Sequence, residues 1–71
     1  MHVGDHVTLR LLGEGREAGQ AIGYLDDGTL VIVERARDFI GQDVTVEVTR
    51  TLQTAGGRLV FAHLVDQGGA R

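Results

Sequence analysis

Apolar and polar side chains alternate with a period of two in several segments, which is the pattern of half-buried β-strands. In residues 7–11 the odd positions are apolar, and in residues 43–49 valines on one face oppose acids and threonines on the other. Residues 30–33 are apolar on both faces and mostly β-branched, which indicates a central strand. Residues 21–25 and 59–64 are the remaining strand candidates, so the pattern predicts five short strands.

Turn-forming residues separate these segments. An Asp-Gly pair at residues 27–28 lies between two strand candidates and supplies the positive φ that a tight hairpin requires. Residues 55–58 predict a second hairpin, and residues 13–19 a longer glycine-rich loop. Residues 34–41 are the one stretch compatible with a helical turn, and Gly41 is suited to its C-terminal end.

Together these elements predict an all-β fold: a small, closed, five-stranded, OB-like barrel with one short helical turn. Closure is expected because an open five-stranded sheet would leave two edges free to pair with other chains; an SH3-like barrel meets the same constraint. Residues 1–71 are predicted to form one domain near the lower size limit for a self-standing core. We expect the core within about residues 4–65 and a frayed tail at residues 66–71.

The composition argues against catalysis. The chain has no cysteine and no serine, and no threonine has an obvious histidine partner, so a nucleophile is hard to find. Without cysteine there are no disulfides and no thiolate metal ligands. His2 and His6 are four residues apart, a spacing that unites metal ligands on a helix but not on an extended segment. We therefore expect no enzyme activity, no metal and no cofactor.

Charge and hydropathy limit the kinds of partner and the cellular location that we expect for the chain. No apolar run approaches the roughly 20 residues that span a bilayer, and residues 1–5 lack the pattern of a signal peptide. The sequence thus predicts a cytoplasmic protein that does not enter a membrane. The net charge of −3 disfavours strong non-specific nucleic-acid binding. Every cation is an arginine, however, and a local arginine patch would suit phosphates and base stacking.

The loop at residues 13–19 is the main candidate for contact with a polyanion. It carries Arg16 and several backbone N–H groups that could meet phosphate oxygens, although its spacing is not that of a dinucleotide-binding motif. Among the aromatic residues, Phe39 and Phe61 are expected mainly in the core. Tyr24 is equally suited to the core and to the surface, since its ring is apolar and its hydroxyl group favours a half-exposed position.

Three stretches, which together cover about residues 5–63, carry a resemblance to a known family. They comprise residues 14–29, then 30–34 with 40–41, then 46–49 with 52–54 and 57–62. In this order and spacing the chain resembles a TRAM domain, and more narrowly the C-terminal TRAM module of bacterial PIN–TRAM proteins. One departure is Ala21, which stands where relatives often have glycine.

The resemblance implies an OB-like barrel that binds RNA, with tRNA and rRNA among the candidates, or other nucleic acid. It also implies a longer parent chain with a PIN nuclease-like domain, whose catalytic carboxylates this chain does not supply. The family glycines are matched by Gly19, Gly23, Gly28 and Gly41, which serve backbone geometry. Combined with the arginine argument, the residues expected to face nucleic acid are Arg16, Gln20, Tyr24, Arg37, Arg50 and Arg58.

Two alternatives stay open at this point. The acidic balance and the apolar content also suit a structural or protein-interaction barrel that docks to another domain or associates with itself. A small ribosome-associated protein similar to bacterial initiation factor one would match the length and class, but not the three stretches above.

Overall fold

The structure, a computed structural model, describes residues 1–65 and consists mainly of β-strands. The expected all-β class and the single helical turn are both confirmed. The tail predicted to be frayed, residues 66–71, lies outside the described residues. The strands are β1 (His6–Arg10), β2 (Gly13–Glu14), β3 (Ala21–Tyr24), β4 (Leu30–Glu34), β5 (Asp43–Thr54) and β6 (Gly57–Leu64), and a 3₁₀ turn at Arg37–Phe39 links β4 to β5.

One sheet contains all six strands, in the order β1-β5-β6-β4-β3-β2. Every neighbouring pair is antiparallel except β4 and β6, which are parallel. The two outermost strands, β1 and β2, are separated along the chain by only Leu11 and Leu12, so the sheet must curl to bring its edges together. Hydrogen bonds hold this junction on both sides: the Leu12 N–H donates to the Ile22 carbonyl (2.7 Å) and the Gly41 N–H to the Leu11 carbonyl (2.7 Å).

The prediction of a closed, five-stranded barrel is therefore wrong in strand number and in closure. The chain bends at Leu11 and Leu12, so β1 pairs with β5, while the additional strand, β2, occupies the first two residues of the predicted glycine-rich loop and pairs with β3. The result is a curled, barrel-like sheet that strand pairing does not close. The long hairpin of β5 and β6 also extends further than expected, because β5 runs on to Thr54 past a β-bulge between Val48 and Arg50.

Alternate residues of each strand fill the interior. Val44, Val46 and Val48 point inward from β5, where burial removes their apolar surface from water. Ala21 is fully buried, so its methyl group belongs to the core. The buried apolar residues are Leu9, Leu11, Ala21, Val31, Val33, Ala36, Val44, Val46, Val48, Val60 and Ala62.

The chain leaves β4 through Arg35, the one non-glycine residue within 1–65 that has a positive φ, at 54°. By strict alternation position 35 would follow Val31 and Val33 into the core. The left-handed turn instead leaves Arg35 exposed and buries Ala36 completely, and the Ala36 N–H donates to the Gly19 carbonyl (2.9 Å). A backbone conformation that is uncommon for a non-glycine residue thus accompanies an exposed guanidinium at Arg35.

Gly23 allows β3 to lie against the end of β1. A Cβ atom at this position would be 2.5 Å from the carbonyl oxygen of Arg10 and 2.8 Å from Cδ1 of Leu9. Backbone cannot yield as a flexible side chain does, so only glycine fits here. The curl of the sheet depends on this close approach.

We expect Gly23→Ala to lower the free energy of unfolding by about 2–3 kcal/mol, since the methyl group would push β3 away from β1. Gly13→Ala is the matched control, because a Cβ at that position meets no atom within 4 Å. Urea denaturation followed by far-UV circular dichroism measures both. Equal stability of the two variants would show that the approach at Gly23 is not needed.

The turn between β3 and β4 contains an aspartate with a shifted pKa. Hydrogen bonding by the Thr29 hydroxyl and then by the Thr29 N–H lowers the pKa of Asp27, and the charge of Arg58 contributes less; the Thr29 N–H lies 3.0 Å from Oδ1 of Asp27. Because the folded-state pKa is below the unfolded one, the resulting stabilisation is present above the ordinary aspartate pKa. It is lost as the pH falls through the lowered value.

An NMR titration of the Asp27 carboxyl group should therefore give a midpoint below about 3.9, the ordinary aspartate value. Thr29→Val removes the hydroxyl at nearly constant volume and should move the midpoint upward. A midpoint at the ordinary value in the wild-type protein, or one unchanged in the variant, would contradict this assignment.

Candidate nucleic-acid interface

The outer face of the sheet is unusually apolar. Antiparallel sheets commonly bury one face and present polar side chains on the other. Here seven outward positions of β3, β4, β5 and β6 carry leucine, isoleucine or aromatic residues, all of them half-buried except Tyr24, which is 54% exposed. Neighbouring apolar side chains that remain partly exposed are typical of interaction sites. We call this surface the outer patch: Ile22, Tyr24, Leu30, Ile32, Leu52, Leu59 and Phe61.

Strand register arranges the outer patch in two parallel rows. Paired positions run from Ile22 to Ile32 and on to Phe61, which is opposite Arg50. The second row, two residues along each strand, contains Tyr24, Leu30, Leu59 and Leu52. Each row therefore crosses β3, β4, β6 and β5 in turn.

A shallow cleft lies between the outer patch and the glycine-rich loop. We call it the Phe61 cleft. The residues that the sheet contributes to this cleft are apolar. Those from the loop before β3 are polar, so the cleft combines an apolar floor with an arginine. It is lined by Arg16, Glu17, Gln20, Ile32, Leu59 and Phe61.

The β-bulge brings Arg50 to this surface. Val44, Val46 and Val48 point inward, so unbroken alternation would turn position 50 inward as well. The bulge between Val48 and Arg50 reverses the alternation, and Arg50 becomes the partner of Phe61. Its guanidinium carbon lies 5.9 Å from the centroid of the Phe61 ring, within the range of a cation–π interaction. The ring thus offers a weakly attractive contact to an exposed arginine.

Gln20 fixes the loop that carries Arg16. It is only 7% exposed, and its side-chain amide is occupied at both ends: Oε1 accepts from the Glu17 N–H (3.2 Å) and Nε2 donates to Oε2 of Glu34 (3.0 Å). The backbone adds a bond from the Gly15 N–H to the Gln20 carbonyl (2.8 Å). A Cβ at Gly15 would lie 2.6 Å from Cβ of Gln20, so the loop folds tightly over this side chain.

The six predicted site residues do not all meet. Arg16 and Gln20 line the Phe61 cleft, and Arg50 reaches it through Phe61. Tyr24 is on the same face, in the second row of the outer patch. The other two lie elsewhere: Arg37 pairs with Glu14 (Nε to Oε2, 3.4 Å), and Arg58 points away from the Leu59 side of the hairpin and lies beside Gln53.

Ion pairing divides the arginines into two sets. Arg10 and Asp43 form a paired interaction (Nε to Oδ1, 2.9 Å), which raises the pKa of Arg10 and lowers that of Asp43. Arg37 pairs with Glu14 as described. Within residues 1–65, the arginines without a carboxylate oxygen inside 4.0 Å are Arg16, Arg35, Arg50 and Arg58.

A polar row borders the outer patch on the side away from Leu59. Two histidines lie close to Oε1 of Glu47: Nε2 of His6 at 3.4 Å and Nε2 of His63 at 3.6 Å. They meet there because the three residues are in register across β1, β5 and β6. Glu34 is the partner of His63 on β4 and continues the row. In the part of the chain that the structure describes, no three side chains of histidine, cysteine or acid type are grouped so as to hold a metal ion.

Sequence reasoning missed the apolar part of this surface. Phe61 was expected mainly in the core, because its neighbours are apolar, but it is half-buried on the outer face. The sequence pattern places Ile32 in a central strand and Leu59 in a strand candidate, and assigns neither to an outer surface. The signal that could have found them was strand alternation. Ile32 directly follows the fully buried Val31, and Leu59 directly precedes the fully buried Val60, so both side chains are expected on the opposite face. Phe39 does pack against the core as expected.

Within residues 1–65 the structure contains no helix with the length and apolarity that crossing a lipid bilayer requires.

The fold and the surface define a class: a small, barrel-like, all-β binding domain with an apolar face framed by unpaired arginines. The family model of the TRAM domain matches residues 2–60. The chain therefore belongs to the TRAM domain family, as its sequence motifs indicated. No solved structure matches it closely.

Two of the relatives are much longer than this chain. It is 48% identical over 59 residues to an uncharacterized PIN and TRAM-domain containing protein of Synechocystis, which covers 83% of this chain and 16% of the relative. The PIN and TRAM-domain containing protein YacL of Bacillus subtilis is 44% identical over the same shares. A Thermus thermophilus protein named for the scsB 5′ region is 45% identical over 63 residues, covering 89% of this chain and 68% of the relative. The chain thus spans about a sixth of the length of the first two relatives, in their TRAM region.

We expect Gln20→Ala to lower the free energy of unfolding by about 1–2 kcal/mol, because two partly buried hydrogen bonds are lost. Hydrogen exchange at the Glu17 amide should accelerate more than exchange in β6. Gln53→Ala is the matched control, since the exposed Gln53 amide makes only a 3.5 Å contact with the neighbouring Thr54 carbonyl. Unchanged protection at Glu17 would contradict the role assigned to Gln20.

Proposed function

We propose that residues 1–71 form one accessory module that binds nucleic acid, with RNA as the partner, through the outer patch and the Phe61 cleft. The observation that supports this most directly is the placement of two arginines without carboxylate partners beside an exposed apolar surface. Arg16 enters from the loop before β3, and Arg50 from β5. Nucleic-acid-binding proteins combine the same two elements, cations for phosphates and planar or apolar groups for bases.

The fold gives this surface a precedent. In OB-folds, oligonucleotides bind on the face of two central strands and on the loops beside it. Here β3 and β4 carry much of the outer patch, the loop containing Arg16 lies at one side, and the β5–β6 hairpin lies at the other. We therefore propose an OB-like mode of binding.

The roles proposed for the six residues differ. Arg16 and Arg50 contact phosphates, and Tyr24 offers a ring for stacking at the exposed end of the outer patch. Gln20 positions the loop, since its amide groups already have partners. Arg58 and Arg37 would contact nucleic acid only at the periphery, beyond the β5–β6 hairpin and beside Glu14 respectively.

The relatives suggest where the module works. Two of them are named for PIN and TRAM domains, so we propose that the module presents RNA to a PIN nuclease-like domain of a longer, cytoplasmic chain. The module itself is proposed to bind without catalysing a reaction.

A second function is favoured by apolar residues away from the cleft. Val3 is 64% exposed and Leu12 is 59% exposed, and neither lines the Phe61 cleft. Exposed side chains of this size suit a structural barrel that docks to another domain or to a second copy. Concentration-dependent sedimentation of the isolated chain, abolished by Leu12→Ala, would favour this function.

Under the nucleic-acid proposal, Arg16→Ala and Arg50→Ala should each weaken RNA binding by about tenfold, or about 1.4 kcal/mol, because each removes a phosphate contact. Fluorescence anisotropy with a labelled RNA at fixed salt measures the affinity. Arg10→Ala is the control, since it removes the same charge from an arginine already paired with Asp43. Equal losses in all three variants, or no binding at high micromolar protein, would contradict the proposal.

A further inference from the structure

The Phe61 cleft combines an apolar floor with few positive charges. Its floor is made of Ile32, Leu59 and Phe61, and within residues 1–65 it is served by two arginines, Arg16 and Arg50, against Glu17. The chain as a whole carries a net charge of −3. Affinity for a polyanion at this surface must therefore depend in part on apolar contact.

Apolar contact distinguishes paired from unpaired nucleic acid. A duplex buries the faces of its bases and presents a dense series of phosphates, which are bound mainly by many cations. An unpaired strand exposes its base faces, which stack on aromatic rings and on arginine guanidinium groups. The outer patch supplies the second kind of contact and lacks the cations for the first.

The geometry of the outer patch suits successive bases. Its two rows are about 7 Å apart along the strands, and each crosses four strands, about 14 Å. The guanidinium carbon of Arg50 lies 5.9 Å from the centroid of the Phe61 ring, so an arginine lies beside the ring, where a base or a phosphate can meet it. Tyr24, in the other row, exposes 54% of its surface.

Acidic side chains lie in the polar row that borders the outer patch. Glu34 and Glu47 lie in the polar row next to the Ile32–Phe61 row, where Glu47 also contacts His6 and His63. Arg16 and Arg50, in contrast, have no carboxylate oxygen of residues 1–65 within 4.0 Å and are available to phosphates at the outer patch.

We propose, on the basis of the function proposed above, that the Phe61 cleft and the outer patch bind unpaired RNA in preference to duplex RNA. Bases contact Phe61, Leu59 and Ile32, and two phosphates contact Arg16 and Arg50.

The test compares a labelled oligouridine, which is unstructured, with a duplex RNA of equal phosphate number. We expect the oligouridine to bind at least about tenfold more tightly. Its logarithmic salt dependence should have a slope of about −1.4, from two phosphate contacts at about −0.7 each. Equal or tighter binding of the duplex, or a slope steeper than about −3, overturns the preference for unpaired RNA while leaving nucleic-acid binding intact. Failure of both RNAs to bind overturns the proposed function itself.

Substitutions at Phe61 separate stacking from general apolar contact. Phe61→Leu should weaken oligouridine binding by about fivefold or more and leave duplex binding unchanged, whereas Phe61→Tyr should retain the wild-type affinity. Leu12→Ala is the control, since Leu12 is 59% exposed but does not line the cleft. Circular dichroism verifies that each variant is folded. Wild-type affinity in a folded Phe61→Leu variant would overturn the assignment of Phe61.

Discussion

The register of four paired strands, β3, β4, β6 and β5, determines which side chains this domain presents to a ligand. A shift of one residue in any pairing would exchange the buried valines for the residues of the outer patch. In these four strands the inward positions are filled by valine and alanine, and the larger apolar residues at the alternating positions face outward. An apolar outer surface is thus a consequence of how the core is packed, and the unpaired arginines make it a candidate surface for nucleic acid.

Two local features adapt this surface beyond simple alternation. The bulge between Val48 and Arg50 turns an arginine outward onto Phe61 at a point where regular alternation would bury it. Gln20 has the complementary role in the loop, because its amide ties Glu17 to Glu34 and so limits the positions that Arg16 can occupy. Side chains that are held in place before a ligand arrives lose less conformational entropy on binding. Both features therefore favour a preformed surface.

Local pattern was sufficient for some elements and insufficient for others. Alternation located β4 and the inward valines of β5, and the Asp-Gly pair located the turn between β3 and β4, because these depend on neighbouring residues. The bend at Leu11 and Leu12, the bulge before Arg50 and the partners of Gln20 depend on contacts between distant segments. The same limit applies to Glu47, which meets His6 and His63 only through the pairing of β1, β5 and β6.

The central claim is that the outer patch and the Phe61 cleft form the nucleic-acid-binding surface. It is tested most directly by NMR spectra of the isotope-labelled domain, recorded while an unstructured RNA is added. The account predicts that the largest chemical-shift changes fall on Arg16, Ile32, Arg50, Leu59 and Phe61, with small changes at Val3 and Leu12. Changes centred on Val3 and Leu12, or spread evenly over the domain, would contradict it.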